Sequence, residues 1–201
     1  TTISDCLDAS PGYYVDASLG IAQASQTACL SGTYNPRTGS TTISDCLDAS
    51  PGYYVNSSLG IAQSSQTACL AGTYNPSTGS TTSSDCLNAS PGYYVDQSGQ
   101  SIQTACLVGT FQASTGQSSC DDADPGHYVD ISLGIAQSTQ TACSAGTYNP
   151  NTGSTTSTDC ISADSGHYVD QPGQSSQTAC LAGTFQASTG QSSCDDADPG
   201  H

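Results

Sequence analysis

The chain is 201 residues long and carries seventeen Asp, no Glu, no Lys and a single Arg, Arg37, for a formal charge of −16. That charge repels phosphate, so nucleic acid and anionic membrane surfaces are excluded as partners. Leu, Ile, Val and Phe together supply only about an eighth of the chain, a proportion that taken alone describes a disordered polypeptide.

The cysteines argue for order. In chain order they are Cys6, Cys29, Cys46, Cys69, Cys86, Cys106, Cys120, Cys143, Cys160, Cys180 and Cys194, and only four different intervals separate them. Cys6 to Cys29 is the longest of these, Cys29 to Cys46 and Cys86 to Cys106 are intermediate, and Cys106 to Cys120 is the shortest. Punctuation at so few fixed spacings marks a repeat protein. Taken in pairs, the intervals divide the chain into long repeats at 1–40 and 41–80, a short one at 81–114, a long one at 115–154, a short one at 155–188 and the start of another at 189–201. Residues 103–127 and 177–201 differ only at Val108 against Ala182, which favours block duplication as the source of the mixed lengths over physical packing of the two insertions in the long forms. The chain begins in a hexapeptide, Thr1 to Cys6, that recurs as Thr41 to Cys46, and it stops in mid-repeat at Gly200-His201. It therefore reads as a window onto a longer repetitive polypeptide.

Each period contains two similar halves. One reads Cys180-Leu-Ala-Gly183-Thr-Phe185 and meets its second cysteine at Cys194. The other reads Ala163-Asp-Ser-Gly166-His-Tyr168 and has Gln177 at the same offset. In the long periods Cys69 and Cys86 correspond to Ala49 and Gln66. Ala and Gln thus stand where the other half has its cysteines, and loss of both partners together leaves no orphan thiol. The alignment predicts bridges Cys29 to Cys46, Cys69 to Cys86, Cys106 to Cys120, Cys143 to Cys160 and Cys180 to Cys194, with Cys6 bridged to a residue outside the window. The competing series, beginning Cys6 to Cys29 and Cys46 to Cys69, also leaves one cysteine over, and parity does not decide between them. Each predicted loop contributes roughly 3 kcal/mol in the chain-entropy model. Five such loops can hold a chain that has little core.

The units are therefore modules half a period long, each carrying a Gly two residues before an aromatic: Tyr14, Tyr34, Tyr54, Tyr74, Tyr94, Phe111, Tyr128, Tyr148, Tyr168 and Phe185. Stretches such as Tyr53-Tyr54-Val55 favour strand, and Asn75-Pro76-Ser77-Thr78-Gly79 is turn chemistry. The expected fold class is all-β, built of small disulfide-rich repeats: an elongated linear array of short β-hairpin modules with little helix. A module this small has no core of its own, so its aromatic must pack on the next module, and stability becomes a sum of nearest-neighbour contacts.

Regular cysteines without metal-type Cys-x-x-Cys pairs fit an oxidising compartment, hence an extracellular or cell-surface location. Asn56 and Asn88 begin Asn-x-Ser sequons, whereas Asn35, Asn75 and Asn149 are followed by Pro. Ser and Thr make up well over a quarter of the chain, and the clusters holding Thr41, Thr42, Thr81, Thr82, Thr155 and Thr156 sit in expected turns suited to O-glycosylation. No signal peptide or long apolar run is present, so no direct membrane insertion is expected in this window.

The pattern Cys-x-x-Gly-Thr-Tyr/Phe followed by Thr-Gly-x-x-x-Cys, as in Cys106 to Cys120, resembles the cysteine-rich repeats of ephrin-receptor-like extracellular regions. These are similar in turn to the one-disulfide modules of tumour necrosis factor receptors. The resemblance covers essentially the whole chain. It implies an extracellular β module used as stalk, spacer or ligand-binding ectodomain. In that family each junction carries Cys-x-x-Cys. Here Gln177-Thr-Ala-Cys180 and Cys194-Asp-Asp-Ala197 each retain one of the two cysteines.

Chemistry has little to stand on. His127, His167 and His201 occupy the position held elsewhere by Tyr13, Tyr53 and Tyr93, which reads as substitution at a solvent-facing site. No catalytic residue is assigned and the chain is expected not to be an enzyme. Zinc lacks a Cys/His quartet. No cofactor is expected; calcium is the one ion left open, through Asp121, Asp122 and Asp124 at one junction. The leading expectation is a structural extracellular protein, a fibre or cell-surface stalk whose partners are copies of itself or neighbouring repeats, together with glycans. The alternative is a ligand-binding or adhesive receptor-like ectodomain.

Overall fold

In a computed structural model of the protein, residues 7–20 and 23–198 are described. Each module opens on a four-residue turn. In Ser50-Pro51-Gly52-Tyr53 the Tyr53 N–H donates to the Ser50 carbonyl at 3.0 Å, and Gly52 has φ +87°. Pro at the second position and Gly with positive φ at the third are what a type II turn requires. The turn delivers the chain into a two-residue strand, which pairs antiparallel with a second two-residue strand near the module's end.

The fold is all-β. Among the described residues twenty strands run from β1 (Tyr13–Tyr14) and β2 (Thr27–Ala28) to β19 (Thr184–Phe185) and β20 (Asp195–Asp196), forming ten separate two-stranded sheets. The register is the same in modules with and without cysteines: Tyr54 lies opposite Thr67 and Tyr53 opposite Ala68, as Tyr74 lies opposite Leu87 and Thr73 opposite Asn88. Short 3₁₀ turns such as Ser57–Leu59 and Ser83–Asp85 are the only helical elements among the described residues.

The chain forms two compact units. One comprises Thr1–Ala89, Val95–Gln103 and Gly116–Ser118; the other comprises Ser90–Tyr94, Thr104–Thr115 and Ser119–His201. In the first, Ala9, Cys29, Ala49, Cys69 and Ala89 are buried, together with Val55 and Val95; in the second the same positions are Cys106, Ala123, Cys143, Ala163, Val129 and Val169. These small residues form the core. Most Leu and Ile lie outside it: Leu19, Leu30, Leu59, Leu70 and Leu133 are all exposed.

Alternate modules fill one core position differently. Where cysteine-free modules bury Val55 or Val129, their partners bury Asn75 or Asn149. Burying an amide is costly unless it is hydrogen-bonded, and Asn75 is fully provided for. Its Nδ2 donates to the Tyr53 carbonyl (3.1 Å) and to Ser80 Oγ (2.8 Å), while its Oδ1 accepts the Ser77 N–H at 3.0 Å.

The expectation of nearest-neighbour packing alone is corrected here. Hydrogen bonds do link adjacent modules, as in Gly52 N–H to Asn75 carbonyl (2.7 Å) and Cys69 N–H to Gly52 carbonyl (2.8 Å). The turn glycine, however, touches the module after that. A Cβ added at Gly12, Gly32, Gly52, Gly72, Gly92, Gly109, Gly126 or Gly146 would come within 2.6 Å of a carbonyl oxygen two modules on, such as that of Ala62 for Gly12 and of Gly99 for Gly52. Only a residue without a side chain allows that backbone approach. Each of these eight modules is thus held by two successors, not one.

Candidate functional site

The recurring constellation is the closure of each module. In alternate modules it is covalent. Disulfides join Cys29 to Cys46, Cys69 to Cys86, Cys106 to Cys120, Cys143 to Cys160 and Cys180 to Cys194, with Cα atoms 5.6–5.8 Å apart. The first cysteine of four of these pairs is buried and Cys180 is half-buried. Cys6 lies outside the described residues.

In the intervening modules the glutamine takes over the closure. Gln66 Oε1 accepts the N–H of Ser50, the residue after Ala49, at 2.7 Å, and Gln66 Nε2 reaches Ser50 Oγ at 3.4 Å. Gln26 accepts from Ser10 N–H at 2.8 Å. Gln140 and Gln177 accept from Asp124 and Asp164 N–H at 2.7 Å and donate back to the carboxylates of those residues at 2.5 and 2.7 Å. A side-chain clasp therefore stands where the other modules have a sulfur bridge.

A second recurring feature caps the 3₁₀ turn before the closing cysteine. Asp45 Oδ2 accepts the N–H groups of Thr41 (2.9 Å) and Thr42 (3.1 Å), and Asp85 and Asp159 do the same for Thr81 with Thr82 and Thr155 with Thr156. These backbone hydrogen bonds hold all three carboxyl groups below the ordinary aspartate value. Asp16 and Asp130, at the start of the other 3₁₀ turn, are lowered chiefly by the hydroxyls of Ser18 and Ser132.

The glycosylation candidates fall into different environments. Thr41 and Thr42 are exposed. Thr81 and Thr155 are half-buried, and their methyl groups lie against Gly32 and Gly109 two modules earlier. The hydroxyls of Thr42, Thr82 and Thr156 share hydrogen bonds with Ser44, Ser84 and Thr158. Asn56 opens the 3₁₀ turn Ser57–Leu59 and accepts from Ser58 N–H (3.1 Å) and Ser58 Oγ (2.7 Å). Asn88 is exposed on β8 (Leu87–Asn88), but the next residue of its sequon, Ala89, is wholly buried.

The three calcium candidates are not gathered into a site. Asp121 and Asp122 are the two successive residues of β12 (Asp121–Asp122) and so point to opposite faces. Asp121 accepts from Gln112 Nε2 at 3.2 Å and Asp124 is taken by Gln140. Among the described residues no three His, Cys, Asp or Glu side chains converge as metal ligands.

The reading of the histidines as solvent-facing is corrected. His127 and His167 are half-buried. The His127 ring lies over Gly173 two modules on, as Tyr53 lies over Gly99, where an added Cβ would come 2.7 Å from the Tyr53 hydroxyl oxygen. His201 is outside the described residues. The buried Asn35, Asn75 and Asn149 escape sequence reasoning, because locally they read as turn residues. Their one signal is alignment with Val15, Val55 and Val129 in the other half.

Compared with known proteins, the chain matches no family model and no curated protein. Among the described residues no helix is long and apolar enough to cross a membrane.

Proposed function

We propose that the chain is a structural element of the extracellular space or cell surface, a segment of fibre or stalk whose partners are neighbouring repeats and further copies of itself. The observation that carries this reading is the eightfold recurrence of the turn-glycine contact to the second module on. Eight modules give the same surface to their successors, as suits a repeat that stacks on itself. Five disulfides among the described residues, in a chain with so small a core, favour an oxidising environment. Carbohydrate at Asn56 and at the exposed Thr41 and Thr42 suits such a surface. The sequon at Asn56 is followed by exposed Ser57 and Ser58, whereas the one at Asn88 runs into the core.

Electron microscopy of native material tests the proposal. Continuous filaments or stalks with an axial repeat are expected, and discrete particles capped by a separate head domain would overturn it. Intact-glycopeptide mass spectrometry tests the carbohydrate: occupancy at Asn56 is expected, and a bare Asn56 removes it.

A further inference from the structure

We propose that the chain is an extensible tether in which the modules without disulfides yield under tension and the bridged modules set a limit to extension. The proposal rests on the structural reading only in taking load as the chain's task. The mechanics belong to the molecule itself.

Tension applied along the chain enters a bridged module at its first cysteine and leaves at the second, through a disulfide whose Cα atoms are 5.6–5.8 Å apart. The loop between them, closed at a sequence separation of 14 or 17, carries no load. Between one bridge and the next, load passes through chain that no covalent bond shortens. Cys46 to Cys69 and Cys120 to Cys143 are the longer of these segments, and Cys86 to Cys106 and Cys160 to Cys180 the shorter. Segments of this kind are closed by a glutamine clasp such as Gln66 to Ser50 or Gln140 to Asp124, together with a ladder of two residue pairs. Opening one also breaks the hydrogen bonds that tie it to neighbouring modules, such as Val55 N–H to the Ser80 carbonyl and Ala62 N–H to the Cys29 carbonyl, but no covalent bond.

The geometry sets the lengths. At about 3.5 Å per extended residue, an opened segment has a contour of about 70 Å in the shorter form and about 80 Å in the longer. Each bridge conceals about 45 or 55 Å, so breaking all five lengthens the stretched chain by about 250 Å.

The test is to tether the full chain at both ends in an optical trap and pull it with and without a phosphine reductant. Extension of the oxidised chain is expected in separate events, each adding a contour of about 70 or 80 Å less the span of the folded segment, and ending about 250 Å short of the reduced chain. One opening event for the whole chain, or equal final lengths in the two conditions, would overturn the proposal. The double substitution Ala49→Cys with Gln66→Cys supplies the second arm, because it turns an extensible link into a closed one. Its bridge is expected to form, checked by loss of two hydrogens in the mass, and to shorten the oxidised limit by about 55 Å. A variant that does not form the bridge, or forms it and stretches as far as the parent, also overturns the proposal. Failure to find filaments would remove the structural reading and leave these measurements intact.

Discussion

The modules at 49–68 and 69–88 have the same length, the same opening turn and the same strand register, yet they are closed and filled by different chemistry. The first has Ala49, Gln66 and buried Val55; the second has the Cys69 to Cys86 bridge and buried Asn75. The backbone path is therefore set by the turn glycines and the contacts between modules, while closure is a separate choice. A disulfide restricts the unfolded loop; the glutamine clasp satisfies a backbone N–H in the folded one. Val55 contributes by leaving water, whereas Asn75 ties its module to the previous one through the Tyr53 carbonyl.

The largest break in the comparison comes from reducing the bridges. Each bridged loop is expected to lose roughly 3 kcal/mol of stability, so amide exchange should quicken first in the cysteine-containing modules. Equal acceleration in both kinds of module would deny the distinction. Next is Gly52→Ala set against Gly166→Ala. Both are the third residue of a module's opening turn, with φ +87° and +77°, but only a Cβ at position 52 overlaps the Gly99 carbonyl, while position 166 has nothing within 4 Å. Substitution at 166 should cost about 1–2 kcal/mol for the left-handed backbone alone, and substitution at 52 distinctly more, read by urea unfolding. Equal losses would mean that the contact between second neighbours adds nothing to stability.

A smaller effect is expected from Asn75→Val, which copies the other module's core residue. It leaves the Tyr53 carbonyl and the Ser77 N–H without their partner, at about 1–3 kcal/mol. A neutral outcome would mean that the two core fillings are interchangeable. The smallest effect is in pH. The depressed carboxyl groups of Asp45, Asp85 and Asp159 contribute stability above the ordinary aspartate value of about 4, and it is lost as pH falls through their lower folded values. Neutralising the other carboxylates relieves repulsion in the same range, so Asp85→Asn, which removes one cap, should make the acid limb of a melting-temperature profile shallower. An unchanged limb would show that the cap titrates alike in folded and unfolded chains.

Much of this was legible in the sequence because it is periodic. The strands follow from β-prone pairs such as Tyr53-Tyr54 placed directly after a Gly turn, and the standing of Ala49 and Gln66 in place of two cysteines is visible once the halves are aligned. The contact from Gly32 to Gly79 was not legible, since no local pattern announces an approach between residues so distant along the chain. Burial of Asn75 is hidden because Asn before Pro is ordinary turn chemistry, and only the fold brings the Tyr53 carbonyl to it. His127 is hidden for a related reason: the surface it covers belongs to Gly173, which lies in a different repeat.

The glutamine clasp and the disulfide close equivalent loops at equivalent places, and the contrast between the two kinds of module depends on that equivalence. Disulfide mapping of the oxidised variant Ala49→Cys with Gln66→Cys, by non-reducing peptide analysis, probes it without intermediaries. A bridge between positions 49 and 66 is expected, with the Cys29 to Cys46 and Cys69 to Cys86 bridges unchanged. Free thiols at the two positions, or a bridge from Cys46 to Cys69, would contradict the equivalence.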